Sequence, residues 1–178
     1  MKDAQKIKTA FERNEKVVAK RPYIARGTAV TKVQVTDGLT CQIEDGPWKL
    51  TVDLAEKHGG DNNGPNPGVL GRGALGSCLS IAYMQWAAKL GIPVSKLEVQ
   101  IHADYDARGH YDSSEIPPGY LGVRYCVLVE STAPEEDIIR WLDISDAHCA
   151  YADVFTRDQN LQREVEIVRP EIPKNVAV

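Results

Sequence analysis

Cysteine side chains offer the clearest nucleophilic and redox chemistry in this sequence. Cysteines stand at Cys41, Cys78, Cys126 and Cys149, and no two of them have C-x-x-C or zinc-type spacing. A cysteine in an apolar segment is commonly a small buried hydrophobe. Cys78 gains reactivity only if a positive charge or hydrogen-bond donors favour its thiolate. The sequence therefore predicts chemistry at Cys78 only in combination with a partner, for which Cys149 is the candidate.

The pair His148-Cys149 raises two further chemical possibilities. Adjacent residues on a helix do not face each other, so His148 is not expected to activate Cys149 directly, although it could reach Cys78 if two helices pack. A zinc site would need both cysteines, His148 and one of three further histidines, a set without any local spacing rule. We therefore predict no metal. The further histidines are His58, His102 and His110.

A glycine motif, Gly71-Arg-Gly73-Ala-Leu-Gly76, matches the G-x-G-x-x-G pattern of dinucleotide-binding proteins. That fingerprint requires a strand directly before the glycines. Here a loop rich in Asn, Pro and Gly precedes them, and Asn66-Pro67 is typical of a helix start. Nucleotide binding is therefore the weaker interpretation of these glycines.

Composition limits the class of protein. The chain has 178 residues, 43% hydrophobic and 26% charged, which suits one globular domain. Its net charge of −4 and mixed charges do not form the basic surface that nucleic acid requires. The first twenty residues contain no apolar run for a secretion signal, and no stretch reaches the ~20 apolar residues of a membrane span. We expect a cytoplasmic protein that binds neither nucleic acid nor membrane.

The elements that would position the cysteines can be predicted from periodicity and turn residues. Residues 3–20 have the apolar spacing of an amphipathic helix, and residues 28–54 contain apolar runs separated by two Asp-Gly turns, which indicates an antiparallel meander. After a loop over 57–68, a buried helix is expected from Pro67 to about Leu90. Its small first half suggests that another backbone approaches closely there.

The second half of the chain contains predicted strands at 96–105 and 121–129, a helix from about 133 to 152, and a last strand at 161–168. The segment Thr132-Ala-Pro-Glu135 has the pattern of a capping box at the start of that helix. Grouped strands and helices without regular βαβ alternation predict an α+β fold.

Several landmarks together resemble the OsmC/Ohr family, which comprises osmotically inducible protein C and the organic hydroperoxide resistance proteins. The landmarks span about residues 25–170 and occur in the family's order. They are Gly59-Gly60-Asp-Asn-Asn-Gly64-Pro65-Asn66-Pro67, Ala74-Leu75-Gly76-Ser77-Cys78, Leu97-Glu98-Val99 after Gly91-Ile-Pro93, Pro117-Pro118-Gly119-Tyr120, and Asp146-Ala-His148-Cys149.

The resemblance implies one OsmC-like domain over 1–178, with a helical extension at 1–22 and a tail at 170–178, in an intertwined homodimer whose antiparallel sheets surround the central helices. It implies that Cys78 attacks an organic hydroperoxide and becomes a sulfenic acid, that Cys149 resolves it to a disulfide, and that an external dithiol reduces the disulfide. Arg26 matches the family's arginine near the reactive sulfur, with Arg21 as the other candidate. No cofactor is expected.

Two departures leave a second function open. The peroxidases of this family carry a glutamate after the Asn-Pro pair that holds the arginine, whereas Gly68 stands here, and Ala150 replaces the proline that usually follows the second cysteine. Another acid, Asp53 or Asp61, could replace the glutamate. The alternative is a binding protein of the same fold, whose interface pocket holds a small apolar ligand and which has little or no peroxidase activity.

Overall fold

The computed structural model describes residues 3–111 and 115–169, and their architecture is α+β, as predicted. Helices and strands follow one another as α1 (Ala4–Lys20), β1 (Lys32–Asp37), β2 (Thr40–Asp45), β3 (Trp48–Val52), α2 (Pro67–Leu90), β4 (Lys96–Tyr105), β5 (Tyr120–Glu130), α3 (Glu135–Asp146) and α4 (Ala150–Thr156). Short 3₁₀ helices lie at Pro22–Ala25, Glu56–His58 and Ala107–His110. The predicted tail at 170–178 lies outside the described residues.

Strands β1, β2 and β3 form the predicted antiparallel meander. Gly38 and Gly46 follow the aspartates of the two turns and adopt positive φ values of 50° and 52°, which glycine reaches without a steric penalty. The sheet leaves several large apolar side chains exposed, among them Val33, Val35 and Trp48. Exposed apolar patches of this kind are typical of interaction surfaces.

The loop between β3 and α2 is organised around the buried carboxylate of Asp53, which is 2% exposed. This carboxylate accepts hydrogen bonds from the Thr40 hydroxyl at 3.0 Å and from the backbone N–H groups of Leu54, Asp61 and Asn63 at 2.7 to 3.1 Å. Burial raises the pKa of the Asp53 carboxyl, but these hydrogen bonds outweigh burial and hold the pKa below its ordinary value. Asp53 therefore fixes the loop that leads into α2.

Helix α2 begins and ends as the sequence predicts. The side chain of Asn66 accepts a hydrogen bond from the Val69 N–H at 3.1 Å, and Pro67 occupies the first turn. Gly91 ends the helix at a φ of 77°. The core forms around one face of α2, against α3 and the following turn, and includes Leu75, Leu79, Ala82, Tyr83, Ala87, Val94, Trp141 and Cys149.

Among Gly71, Gly73 and Gly76 of α2, only Gly76 makes a close contact, and it differs from the one predicted. A Cβ at Gly76 would lie 3.2 Å from Cγ1 of Ile101 on β4, whereas Cβ atoms at Gly71 and Gly73 would meet nothing within 4 Å. The close approach is therefore to a side chain and not to another backbone. Strands β4 and β5 pair in an antiparallel register, with Gln100 opposite Cys126.

Two predictions for residues 132–152 are wrong. The single helix expected over 133–152 is two helices, because the chain breaks at residues 147–149. The capping box is absent: Pro134 is the N-cap without a side-chain hydrogen bond, and the Ser131 hydroxyl instead accepts from the Ala133 N–H.

The last strand, expected at 161–168, does not form. A strand needs a neighbouring edge for its hydrogen bonds, and the described part of this chain supplies no edge to that segment, whose Leu161 and Val168 are exposed. Among the described residues, no helix combines the length and apolar character that crossing a membrane demands.

Candidate active site

Cys78 and Cys149 are brought together by two packed segments of the chain. Cys78 lies in the middle of α2 and is half-buried, while Cys149 follows the end of α3, forms the N-cap of α4, and is 3% exposed. Cys78 packs against the core cluster that contains Cys149, and α4 contacts α2. Both thiols are free, and their side chains interact with each other. The fold therefore places Cys78 close enough to Cys149 to affect the pKa of the Cys149 thiol.

The environment of Cys149 favours the protonated thiol. Burial raises the pKa of the Cys149 thiol above its ordinary value, and its interaction with Cys78 raises it further. The backbone N–H groups of Ala152 and Tyr151 oppose this shift without cancelling it. Cys149 is therefore a poor first nucleophile at neutral pH.

The His148 side chain contacts groups other than the two thiols. Its Nδ1–H donates a hydrogen bond to the Ile144 carbonyl at 2.7 Å, and its ring lies 4.8 Å from the Trp86 ring, centroid to centroid. The possibility that His148 reaches Cys78 across the helix interface is therefore not realised. Within the described residues, no group of three or more metal-ligating side chains gathers.

The position of the missing family carboxylate is occupied by a small polar cluster. A Cβ at Gly68 would lie 3.1 Å from Oδ1 of Asn66, 3.2 Å from Nη1 of Arg72 and 3.5 Å from the hydroxyl of Tyr120. Arg72 donates to that hydroxyl at 3.2 Å, and Tyr120 in turn donates to the Gly68 carbonyl at 3.3 Å. Arg72 thus points to the place where a glutamate at position 68 would be.

Arg26 lies in an exposed segment just after the Pro22–Ala25 turn. Its side chain makes no hydrogen bond or ion pair with the rest of the described chain, and the same holds for Arg21. The assignment of Arg26 to the reactive sulfur stays a prediction.

Neither acid proposed as a substitute for the glutamate is suited to that role. The Asp53 carboxylate is committed to the loop, and Asp61 is exposed and contributes its backbone N–H to Asp53. The glycine motif lies wholly inside α2, so its N–H groups serve the helix and do not form a phosphate-binding loop.

Sequence reasoning missed two polar clusters. One is Arg72 with Tyr120, and the other is Asp146, whose carboxylate accepts hydrogen bonds from Tyr83 and Tyr125. The four-residue interval between Gly68 and Arg72 could have indicated that they share a helix face. No sequence pattern connects Asp146 with Tyr83, which is 63 residues away, or with Tyr125, which is 21 residues away.

The fold and the thiol pair can be compared with known proteins. A family model described as OsmC-like protein matches residues 59–163 and thus includes Cys78 and Cys149. The fold defines the class of α+β proteins with antiparallel sheets and a long central helix, which here carries Cys78. The chain belongs to the OsmC-like family.

Solved structures of the same fold are distant in sequence. An OsmC-like protein from Mycoplasma pneumoniae is 14% identical with a TM-score of 0.63, over 72% of this chain and 87% of that one. An OsmC-like protein of unknown function from Vibrio cholerae is 13% identical with a TM-score of 0.57, over 72% and 94%. An organic hydroperoxide resistance protein OsmC from Legionella pneumophila is 15% identical with a TM-score of 0.53, over 74% and 92%. A search of curated proteins found no match.

Proposed function

We propose that this protein reduces organic hydroperoxides through a thiol cycle in which Cys78 attacks the peroxide and Cys149 resolves the product. The observation that carries the proposal is the interaction of these two free thiols, one from α2 and one from the break between α3 and α4, within an apolar cluster. An apolar surrounding favours a peroxide with a carbon substituent.

The cycle has three balanced steps. The Cys78 thiolate attacks one peroxide oxygen, so that an S–O bond forms, the O–O bond breaks, and the alcohol leaves with a proton. The Cys149 sulfur then displaces water from the Cys78 sulfenic acid and forms a disulfide. A dithiol reductant returns both cysteines to thiols and is itself oxidised to a disulfide. The raised pKa of Cys149 suits this order, because Cys149 stays protonated while Cys78 reacts first.

The proposal includes a homodimer. Exposed apolar residues on the meander, such as Trp48 at 73% and Leu50 at 52%, would be covered by a second subunit. Arg26, exposed within one chain, would then approach the thiol pair across the interface. Light scattering should give twice the chain mass of 19.6 kDa, and a monomer at micromolar concentration would contradict the dimer. Leu50→Glu should weaken association, whereas Lys57→Glu, an exposed change outside the strands, should not.

The peroxidase proposal is tested by exposing reduced protein to a small excess of cumene hydroperoxide. The protein would carry Cys41→Ser and Cys126→Ser, so that only the two candidate thiols remain. We expect rapid loss of both thiols and a Cys78–Cys149 disulfide by mass spectrometry. Cys78→Ser should abolish the reaction, and Cys149→Ser should stop it at a sulfenic acid that dimedone traps. Persistence of both thiols for many minutes would contradict the proposal.

A binding function is the second candidate, and it is favoured by the residues around position 68 and by a groove between two helices. Gly68 removes the family carboxylate, and Arg72 contacts Tyr120. In addition, an apolar groove runs between α1 and α2, lined among others by Phe11, Ile81, Met84 and Trp86. A binding protein should take up 1-anilinonaphthalene-8-sulfonate with an increase in melting temperature that Ile81→Glu removes, while its thiols remain inert to peroxide.

A further inference from the structure

A hydrogen-bonded bridge joins three elements close to Cys149. The Asp146 carboxylate, at the last residue of α3, accepts a hydrogen bond from the Tyr83 hydroxyl of α2 at 2.6 Å through Oδ1. Its other oxygen, Oδ2, accepts from the Tyr125 hydroxyl of β5 at 2.9 Å. One carboxylate therefore fixes the end of α3 to both the central helix and the sheet. Hydrogen bonds to a charged acceptor contribute more than neutral ones.

The bridge is anchored on the α2 side. Tyr83 is fully buried, and its ring lies 6.0 Å from the Trp141 ring in an edge-on arrangement. The indole N–H of Trp141 donates to the Tyr83 carbonyl at 2.8 Å. Because α3 is thus held to Tyr83 at two points, rotation or sliding of its last turn would break either a charge-assisted hydrogen bond or a buried one.

The same residue controls the path of the chain into Cys149. The Cys149 N–H donates to the Asp146 carbonyl at 3.2 Å, and this bond closes the turn that separates α3 from α4. The side chain of Asp146 is thus fixed by two tyrosines, while its backbone holds the residue that carries the second thiol. Tyr125 is also close enough to Cys149 for the thiol to influence its hydroxyl.

We propose that Asp146 is a positioning residue, which together with Tyr83 and Tyr125 holds the turn after α3 so that the Cys149 sulfur meets the Cys78 sulfur. The proposal rests on the proposed function, because it assigns these residues to the second step of the cycle, in which the S–S bond forms and water leaves. The attack of Cys78 on peroxide does not require them.

The test separates the two steps in the background with Cys41→Ser and Cys126→Ser. Asp146→Ala should slow formation of the Cys78–Cys149 disulfide at least tenfold, while the rate of Cys78 oxidation by cumene hydroperoxide changes less than twofold. The amount of dimedone-trapped sulfenic acid should rise accordingly. Asp146→Asn retains one acceptor oxygen and should recover part of the rate. Asp143→Ala is the matched control, since Asp143 is exposed on the same helix and its side chain makes no hydrogen bond within the described residues.

A second measurement does not depend on peroxide chemistry. The fraction of Cys78–Cys149 disulfide in buffers of reduced and oxidised glutathione reports how well the two sulfurs are positioned. Asp146→Ala should shift this equilibrium toward the thiols at least tenfold, and Tyr83→Phe and Tyr125→Phe should each shift it in the same direction. Tyr125→Phe alters a half-exposed side chain and keeps the test valid if Asp146→Ala does not fold.

The outcomes distinguish the two proposals. If the wild-type thiols ignore peroxide but the glutathione equilibrium still shifts in the variants, the peroxidase proposal fails and the positioning role stands. If the variants melt at lower temperature while the equilibrium and the resolution rate match those of Asp143→Ala, the bridge only stabilises the fold and the positioning role is refuted.

Discussion

Replacing Gly68 by glutamate should stabilise the protein, because the new carboxylate would enter the first turn of α2 four residues before Arg72. A negative charge at a helix N-terminus contributes about 0.3–1 kcal/mol. A favourable i, i+4 ion pair adds about 0.2–0.5 kcal/mol. The Arg72 guanidinium already lies 3.2 Å from the position of a Cβ at residue 68. The charge should therefore contribute about 0.5–1.5 kcal/mol in total.

Steric effects of the new side chain must be separated from its charge. The added Cβ would lie 3.1 Å from Oδ1 of Asn66, which caps α2, so some of the gain in helix propensity over glycine is lost to this tight contact. Gly68→Gln has the same shape without the charge and is the matched reference. The stabilisation predicted above is the difference between the glutamate and glutamine variants.

Thermal unfolding at equal protein concentration measures this difference. For a chain of this size, about 0.5–1.5 kcal/mol corresponds to an increase of about 1–6 °C in melting temperature. The difference should shrink in 1 M NaCl, because salt screens exposed charges. Equal melting temperatures of the two variants at low salt would refute the placement of residue 68 beside Arg72 and the start of the helix.

Three further predictions concern the loop and the second thiol. Gly60→Ala should destabilise the protein by about 1–3 kcal/mol or more in urea unfolding, because the new Cβ would lie 2.1 Å from the Leu54 carbonyl oxygen. The control is Gly73→Ala, which adds a Cβ in open space within α2 and should stabilise the protein. Equal effects of the two substitutions on the free energy of unfolding would refute the close approach at Gly60. Asp53→Asn should lower the melting temperature at pH 7. Because the folded-state pKa of Asp53 is lowered, its carboxylate stabilises the fold above the ordinary pKa of about 4, and this contribution is lost as the pH falls through the folded-state pKa. A difference in melting temperature between wild type and Asp53→Asn that is the same at pH 2 as at pH 7 would contradict this. In Cys78→Ser, the rate of Cys149 alkylation by iodoacetamide should increase with pH, and the pH midpoint of this increase should lie above that of a free cysteine because burial of Cys149 remains. A midpoint equal to that of a free cysteine would contradict the raised pKa.

Much of the fold follows from signals a few residues long. The Asp-Gly turns required positive φ at Gly38 and Gly46, and Asn66 with Pro67 specified where α2 begins. These features depend on backbone geometry and hydrogen bonds within one turn, so the sequence contains them completely. The break after α3 was missed because residues 133–152 have a continuous helical pattern, and the path of the chain there is decided by contacts with α2.

The sequence by itself determined which residues are cysteines, that Gly68 stands where the resemblance implies a glutamate, and that the elements make an α+β fold of the OsmC-like family. Only the tertiary structure decided that Cys78 lies close enough to Cys149 to affect its pKa, that Arg72 donates to Tyr120, and that Asp146 joins Tyr83 to Tyr125. These partners are separated by 21 to 71 residues along the chain. Their contacts arise from the packing of helices and sheet, a property of the whole fold that no local spacing of residues encodes.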